Sequence, residues 1–432
     1  MIQTFRNAWK IDELRKKILF TLFILLLYRL GNAIPVPYVN AVSLKSYFVT
    51  VQNTVLGLFN TMSGGAFSQA TIFALSIQPY INASIIIQLL CIAIPALERL
   101  SKDEGEEGKK KIAAITRYST VGIGLLQGFA YYMMLRNNTA TYGILNDTGM
   151  TTLGGIVIVL TFTAGSALVM WLGEQITEYG IGNGISMLLF AGIVSRFPNG
   201  IGNLVSQAVA GSINWIAVIF MLIGALAMVV LIIFINDSER RIPVQYSKRV
   251  VGRKQYGGQS THLPMKVNMS GVMPIIFAQS IASLPATICM LVGGRTDSGF
   301  MKIFDSSTIS YAIIYFLLII FFAYFYATIQ FNPIEVANNL KKSGGFIPGY
   351  RAGKPTSEFI QRVLNKVTLF GALYLGIIAC VPIIISAISP AAKATGISLG
   401  GTSIIIVVGV ALETVQALEQ QMLMRNYKGF LD

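Results

Sequence analysis

The side chains that could carry chemistry are few and poorly placed for it. His262 is the one histidine and lies in a basic loop without cysteine partners, so zinc has no ligand set. Cys91, Cys289 and Cys380 each lie inside an apolar run and read as small buried hydrophobes. The run Gly180-Ile181-Gly182-Asn183-Gly184 superficially suggests a nucleotide loop but lacks the lysine and the strand–helix setting. No nucleophile with a base is evident. What the chain offers instead is long aliphatic runs. Uncharged polar residues also punctuate apolar runs: Gln78, Asn82, Ser84, Gln88, Thr120, Gln127, Gln279 and Ser280. Interhelical hydrogen bonds of this kind contribute about 0.5–2 kcal/mol each, weak enough for a seam between helices to open. No metal or cofactor is expected.

The elements that must position these residues are membrane spans. The 432-residue chain is 54% hydrophobic and only 12% charged, with net charge +14. That excludes a soluble enzyme, a disordered chain and a disulfide scaffold. Apolar windows fall near 18–36, 72–96, 113–135, 151–172, 185–197, 213–235, 270–293, 308–330, 367–387 and 403–420, and a span needs roughly 20 apolar residues. The first, with no A-x-A-like cleavage site after Ile18–Leu30, reads as a retained span. Of 33 Lys and Arg, 26 fall in the N-terminal segment, alternate connections and the tail. This bias predicts an all-α polytopic membrane protein with ten spans and both termini cytoplasmic.

Ten spans divide into two five-helix halves, 1–200 and 201–432, which must be inverted if they are related. The second window carries Ile77-Gln78-Pro79-Tyr80-Ile81 and the seventh Val272-Met273-Pro274-Ile275-Ile276. Proline removes a backbone donor and kinks helices, so paired breaks point to a centre between the halves. Deep ionisable groups are almost absent; Glu413 and Arg29 lie toward span ends. Broken, inverted helices also fit a secondary transporter for an uncharged solute, although coupling residues are missing and the basic loops about 236–267 and 331–366 are longer than a carrier needs.

Four stretches resemble the signature sequences of the SecY family: Leu75–Leu90, Trp171–Ser186, Gln259–Pro274 and Asn339–Arg351. The resemblance runs the whole length, and its wording is similar to the bacterial branch. It implies a passive protein-conducting channel in the bacterial plasma membrane, with a lateral gate between the second–third and seventh–eighth spans. It implies no enzymatic activity in this chain, with ATP hydrolysed by a separate motor, SecA. Secretory chains would cross through the pore, and apolar segments would leave sideways into the lipid bilayer. Expected partners are SecE, SecG, SecA, the ribosome, signal sequences and nascent polypeptides.

Carried onto matching positions, the resemblance implies a constriction ring of Ile77, Ile81, Ile185, Leu189, Ile276 and Ile406, the last within the run Ile404–Ile406. From Lys266 at the membrane edge to Ile276, ten helical residues would reach about 15 Å, half the hydrocarbon depth. A plug is implied about 55–67, with Phe59, Met62, Ser63, Gly64, Gly65 and Phe67; its small residues suggest cheap displacement. Gln88, Thr120 and Gln279 are implied at the lateral gate. Arg240, Arg241, Lys248, Arg249 and Arg351 are implied contacts for the ribosome or SecA.

Overall fold

The computed structural model describes residues 2–51, 55–102, 105–211, 214–246, 249–251, 254–256, 260–269, 271–291, 308–388 and 400–428. Helix α1 (Ile2–Trp9) leads into α2 (Asp12–Gly31), α3 (Ala41–Val51) and the eight-residue α4 (Val55–Met62), followed by a 3-10 turn at Phe67–Gln69. Next come α5 (Gln78–Ala93), α6 (Pro95–Lys102), α7 (Gly105–Tyr142), α8 (Asp147–Met150) and α9 (Thr152–Tyr179). Then α10 (Gly184–Val194), α11 (Phe197–Val209) and α12 (Trp215–Asn236) lead to four strands. These are β1 (Glu239–Tyr246), β2 (Arg249–Val251), β3 (Lys254–Tyr256) and β4 (Ser260–Lys266). The chain continues through α13 (Met273–Leu291), α14 (Ile309–Gln330), α15 (Pro333–Lys342), β5 (Gly345–Phe346), α16 (Lys354–Ile388) and α17 (Gly400–Lys428).

Every apolar window overlaps a helix. Among the described residues six helical runs have the length and composition to cross a membrane: Thr152–Tyr179, Gly184–Val209, Val218–Asn236, Ile309–Lys342, Lys354–Ala387 and Gly401–Leu423. α12 shows what must surround them, since Ile216, Phe220, Leu226 and Phe234 stand exposed around it. An uncovered helix with so little polar surface is stable only in lipid. The chain is a multi-pass membrane protein.

The prolines act differently from the expected kinks. Pro79 and Pro274 are each the second residue of a helix, where a missing N–H leaves no hydrogen bond unmade. Both helices are preceded by left-handed backbone, at Ser76 (φ 50°) and Gly271 (φ 61°). The irregular approach to α5, which includes the 3-10 turn, is buried at Ala66, Phe67, Ala70, Phe73, Ala74, Leu75 and Ile77. Its backbone is paired, with Val36 N–H donating to Ala70 O (2.9 Å) and Ile72 N–H to Ile34 O (3.0 Å). Irregular backbone at membrane depth requires this internal pairing.

α5 and α7 pack against α13 on one flank, and α10 packs against α17 on another. The largest apolar cluster runs across both junctions. The two long basic loops add structure that hydropathy windows do not register. β1 lies between β4 and β5 in an antiparallel sheet, with Ile242 opposite Leu263. Ile242 and Val244 point inward and pack with Met265, Ile347, Ile360 and Leu364, joining both loops into one platform.

Candidate functional site

The six aliphatic residues come from the entry to α5 (Ile77), α5 (Ile81), α10 (Ile185, Leu189), α13 (Ile276) and α17 (Ile406). All six join one apolar cluster. Ile185 is half-buried at its edge, and the other five are 1–3% exposed, so among the described residues these side chains pack on one another and on their neighbours. Ile405 belongs to the same cluster and Ile404 packs on it. A side chain at Gly173 of α9 would lie 3.5 Å from Ile77 Cδ1 and 3.7 Å from Ile185 Cγ1. Both are ordinary contact distances, so the two isoleucines lie beside α9, and the tighter approach there is Leu188 Cδ1 at 3.3 Å. The helical reckoning from Lys266 to Ile276 does not hold, because β4 ends at Lys266 and α13 begins only at Met273.

Met62, the last residue of α4, is buried in the same cluster. Its Sδ accepts from Gln78 Nε2 at 3.0 Å and from Gln279 Nε2 at 3.3 Å. One sulfur thus joins α4 to α5 and α13. Beyond α4 the chain folds back on itself: Gly65 N–H donates to Asn60 O (2.8 Å), Ser68 N–H to Asn60 Oδ1 (2.9 Å) and Phe67 N–H to Ser63 Oγ (3.1 Å). Ser63, Gly65 and Phe67 are buried, Phe59 and Gly64 partly so.

Phe67 differs from the expectation of cheap displacement. It stacks on Tyr131 at 4.2 Å, and the Tyr131 hydroxyl donates to its carbonyl. Phe48 and Phe59 close around it. Phe67 is therefore the anchor, and Phe59 ties α4 to the same aromatic nest. Gly64 has φ +68°, and a Cβ there would meet Gly192 O of α10 at 2.9 Å, so only glycine fits this seat without a shift. Two guanidiniums also reach this stretch: Arg196 Nη1 donates to Asn60 O at 3.2 Å and Arg29 Nη1 to Gly64 O at 3.4 Å.

The seam of α5 and α7 against α13 and α14 holds few polar contacts. Tyr326 of α14 donates to Gln88 Oε1 of α5 at 2.9 Å, and Gln88 Nε2 donates to Ser84 Oγ at 3.1 Å. Gln279 uses its amide on Met62, while Gln78 Oε1, Gln279 Oε1 and Ser280 Oγ are buried without partners. Thr120 donates to Thr116 O of its own helix at 2.7 Å and does not bridge the seam. Tyr326 sits in the aromatic run Phe321–Tyr326, where no neighbour in sequence marks it as a partner for Gln88.

On the platform, Arg240 and Arg241 are adjacent and exposed on β1, and Arg241 pairs with Glu239 at 2.6 Å. Lys248 lies outside the described residues; Arg249 opens β2. Arg351 is exposed in the turn before α16, its carbonyl accepting from Thr356 Oγ1 at 2.7 Å. Among the described residues no group of His, Cys, Asp and Glu could hold a metal.

The family model described as SecY matches residues 71–415. The protein translocase subunit SecY of Streptomyces scabiei is 46% identical, with 100% of both chains covered. That of Mycobacterium tuberculosis is 42% identical over the same full coverage. A solved protein-conducting channel superposes with a TM-score of 0.67 at 19% identity, covering 94% of this chain and 92% of its own. Sec61 from a canine ribosome-channel complex gives 0.63 at 17%, with the same coverage. The two solved structures establish a shared fold. The family match and the full-length identities place this chain in the SecY family.

Proposed function

We propose that the chain is a passive protein-conducting channel, held shut in this structure by an aliphatic ring with α4 as its plug. The observation that carries this reading is the common burial of Ile77, Ile81, Leu189, Ile276 and Ile406 with Met62, beside a seam closed by few polar contacts. A narrow aliphatic constriction dewets and blocks ions, yet grips no particular side chain. A passing polypeptide of any sequence therefore meets a seal that yields without trapping it.

The two helices that begin with proline support an inverted pair of halves, about 1–200 and 201–432. α5 leads away from the α4 end, while α13 leads toward it, since Gln279 reaches Met62 and Thr287 shares a small cavity with Phe59 and Phe67. The flank where α5 and α7 meet α13 and α14 serves as the lateral gate. A signal sequence entering there buries apolar area at about 25 cal/mol per Å², which offsets parting of the helices. Sufficiently apolar segments leave by the same flank into lipid.

The basic platform faces the cytoplasm of a bacterial cell, with both termini on that side. It offers Arg240, Arg241, Lys248, Arg249 and Arg351 to the ribosome or to the ATPase SecA, and this chain supplies no hydrolysis itself. Sec61 and Ssh1 have been solved bound to ribosomes, which supports the first of these partners. SecE and SecG are the expected companion subunits. Purification from native membranes tests the reading: SecE, SecG, SecA or ribosomes should accompany a channel, and their consistent absence would favour a solute carrier.

A further inference from the structure

Arg29 and Arg196 lie at the end of the bundle opposite the platform, and both address the residues closing α4. Arg196 Nη1 bonds Asn60 O at 3.2 Å and Arg29 Nη1 bonds Gly64 O at 3.4 Å. Asn60 O lies in the last turn of α4 and also accepts from Gly65 N–H and Ser63 Oγ, and Gly64 lies two residues past the helix; the negative end of the helix dipole favours cations here. Neither arginine forms an ion pair among the described residues. A guanidinium offers five donors in a fixed fork, and a single neutral carbonyl leaves most of them unused. A carboxylate accepts two at once, with bonds roughly twice as strong. The plug is thus the weaker of two possible partners for these cations.

We infer that Arg29 and Arg196 form an anion-binding pair in the outer funnel, held by plug carbonyls while the channel is shut and by carboxylates of the passing polypeptide once α4 has moved. This rests on the channel reading above. When α4 leaves, both charges face the vacated funnel, and neither has an acidic partner among the described residues. Carboxylates of the substrate then occupy the groups that would otherwise draw the plug back. Ion pairs in a wet funnel are weak, so each acid is held briefly and released.

Chloride is the probe for the pair. In planar bilayers, a leaking form carrying Ile276→Asn and Gly64→Ala should prefer chloride over potassium about threefold or more in a KCl gradient. Adding Arg29→Gln and Arg196→Gln should bring the ratio near unity, whereas Arg29→Lys and Arg196→Lys should keep it. A paused substrate rich in Asp and Glu should abolish that preference more strongly than a Lys-rich one of equal length. An unchanged ratio in the glutamine form, loss of preference in the lysine form, or no difference between the substrates overturns the inference while leaving the channel intact. Absence of any current in the leaking form overturns both.

Discussion

Tyr326 donates its hydroxyl to Gln88 Oε1 at 2.9 Å, joining helices whose residues are 238 positions apart. Such a bond within a membrane contributes about 0.5–2 kcal/mol. Tyr326→Phe removes it while keeping the ring that packs on Phe277 at 4.9 Å. The expected outcome is a seam that parts for weaker signals, read as export of a reporter with a defective signal sequence. Export unchanged from the parent would show that this bond does not hold the gate.

Met62 is the second tie across that flank. Met62→Leu keeps volume but leaves the Gln78 and Gln279 amides without their sulfur acceptor. Unpaired buried donors cost about 1–3 kcal/mol, so ion leak through the resting channel is expected to rise. Replacing Gln78 and Gln279 by leucine in the same chain should recover the seal, because no orphaned donor is left. Recovery failing in the triple variant would assign the leak to shape rather than to hydrogen bonding.

Gly64→Ala places a methyl 2.9 Å from Gly192 O, on backbone at φ +68°. Backbone does not yield there as a flexible side chain would, so α4, the proposed plug, is expected to lose its seat. Cysteines placed at Met62 and Gln279 should crosslink efficiently in the parent and poorly in the alanine form. Equal crosslinking would mean that the seat tolerates a Cβ.

Arg240 and Arg241 stand exposed on β1. If they contact ribosomal phosphates, affinity should fall steeply with salt. Arg240→Ala should then lower the slope of log affinity against log salt by about 1. A salt-independent affinity would point to an apolar contact surface instead.

Some of this was legible in the sequence because hydrocarbon thickness imposes a length that apolar runs must meet, and every window overlaps a helix. Pro79 and Pro274 were visible as breaks, but proline fits a helix start as well as a kink, and local sequence does not separate the two. α7 extends from Gly105 to Tyr142, past its window 113–135, because a helix continues in water once lipid has nucleated it. The β1–β4 hairpin was missed because Ile242 and Val244 alternate with exposed residues over too short a stretch for a span-length window. Tyr326, Arg29 and Arg196 were not singled out as site residues because their partners lie far along the chain. Only the fold brings Gln88, Gly64 and Asn60 to them.

The central claim is that the polypeptide passes through the aliphatic constriction. Photocrosslinking probes at Ile81, Ile276 and the outward-facing Phe220 test it directly against a stalled secretory chain. The account predicts strong crosslinks at 81 and 276 and none at 220. Crosslinks confined to 220, or absent from both 81 and 276 while translocation proceeds, would contradict it.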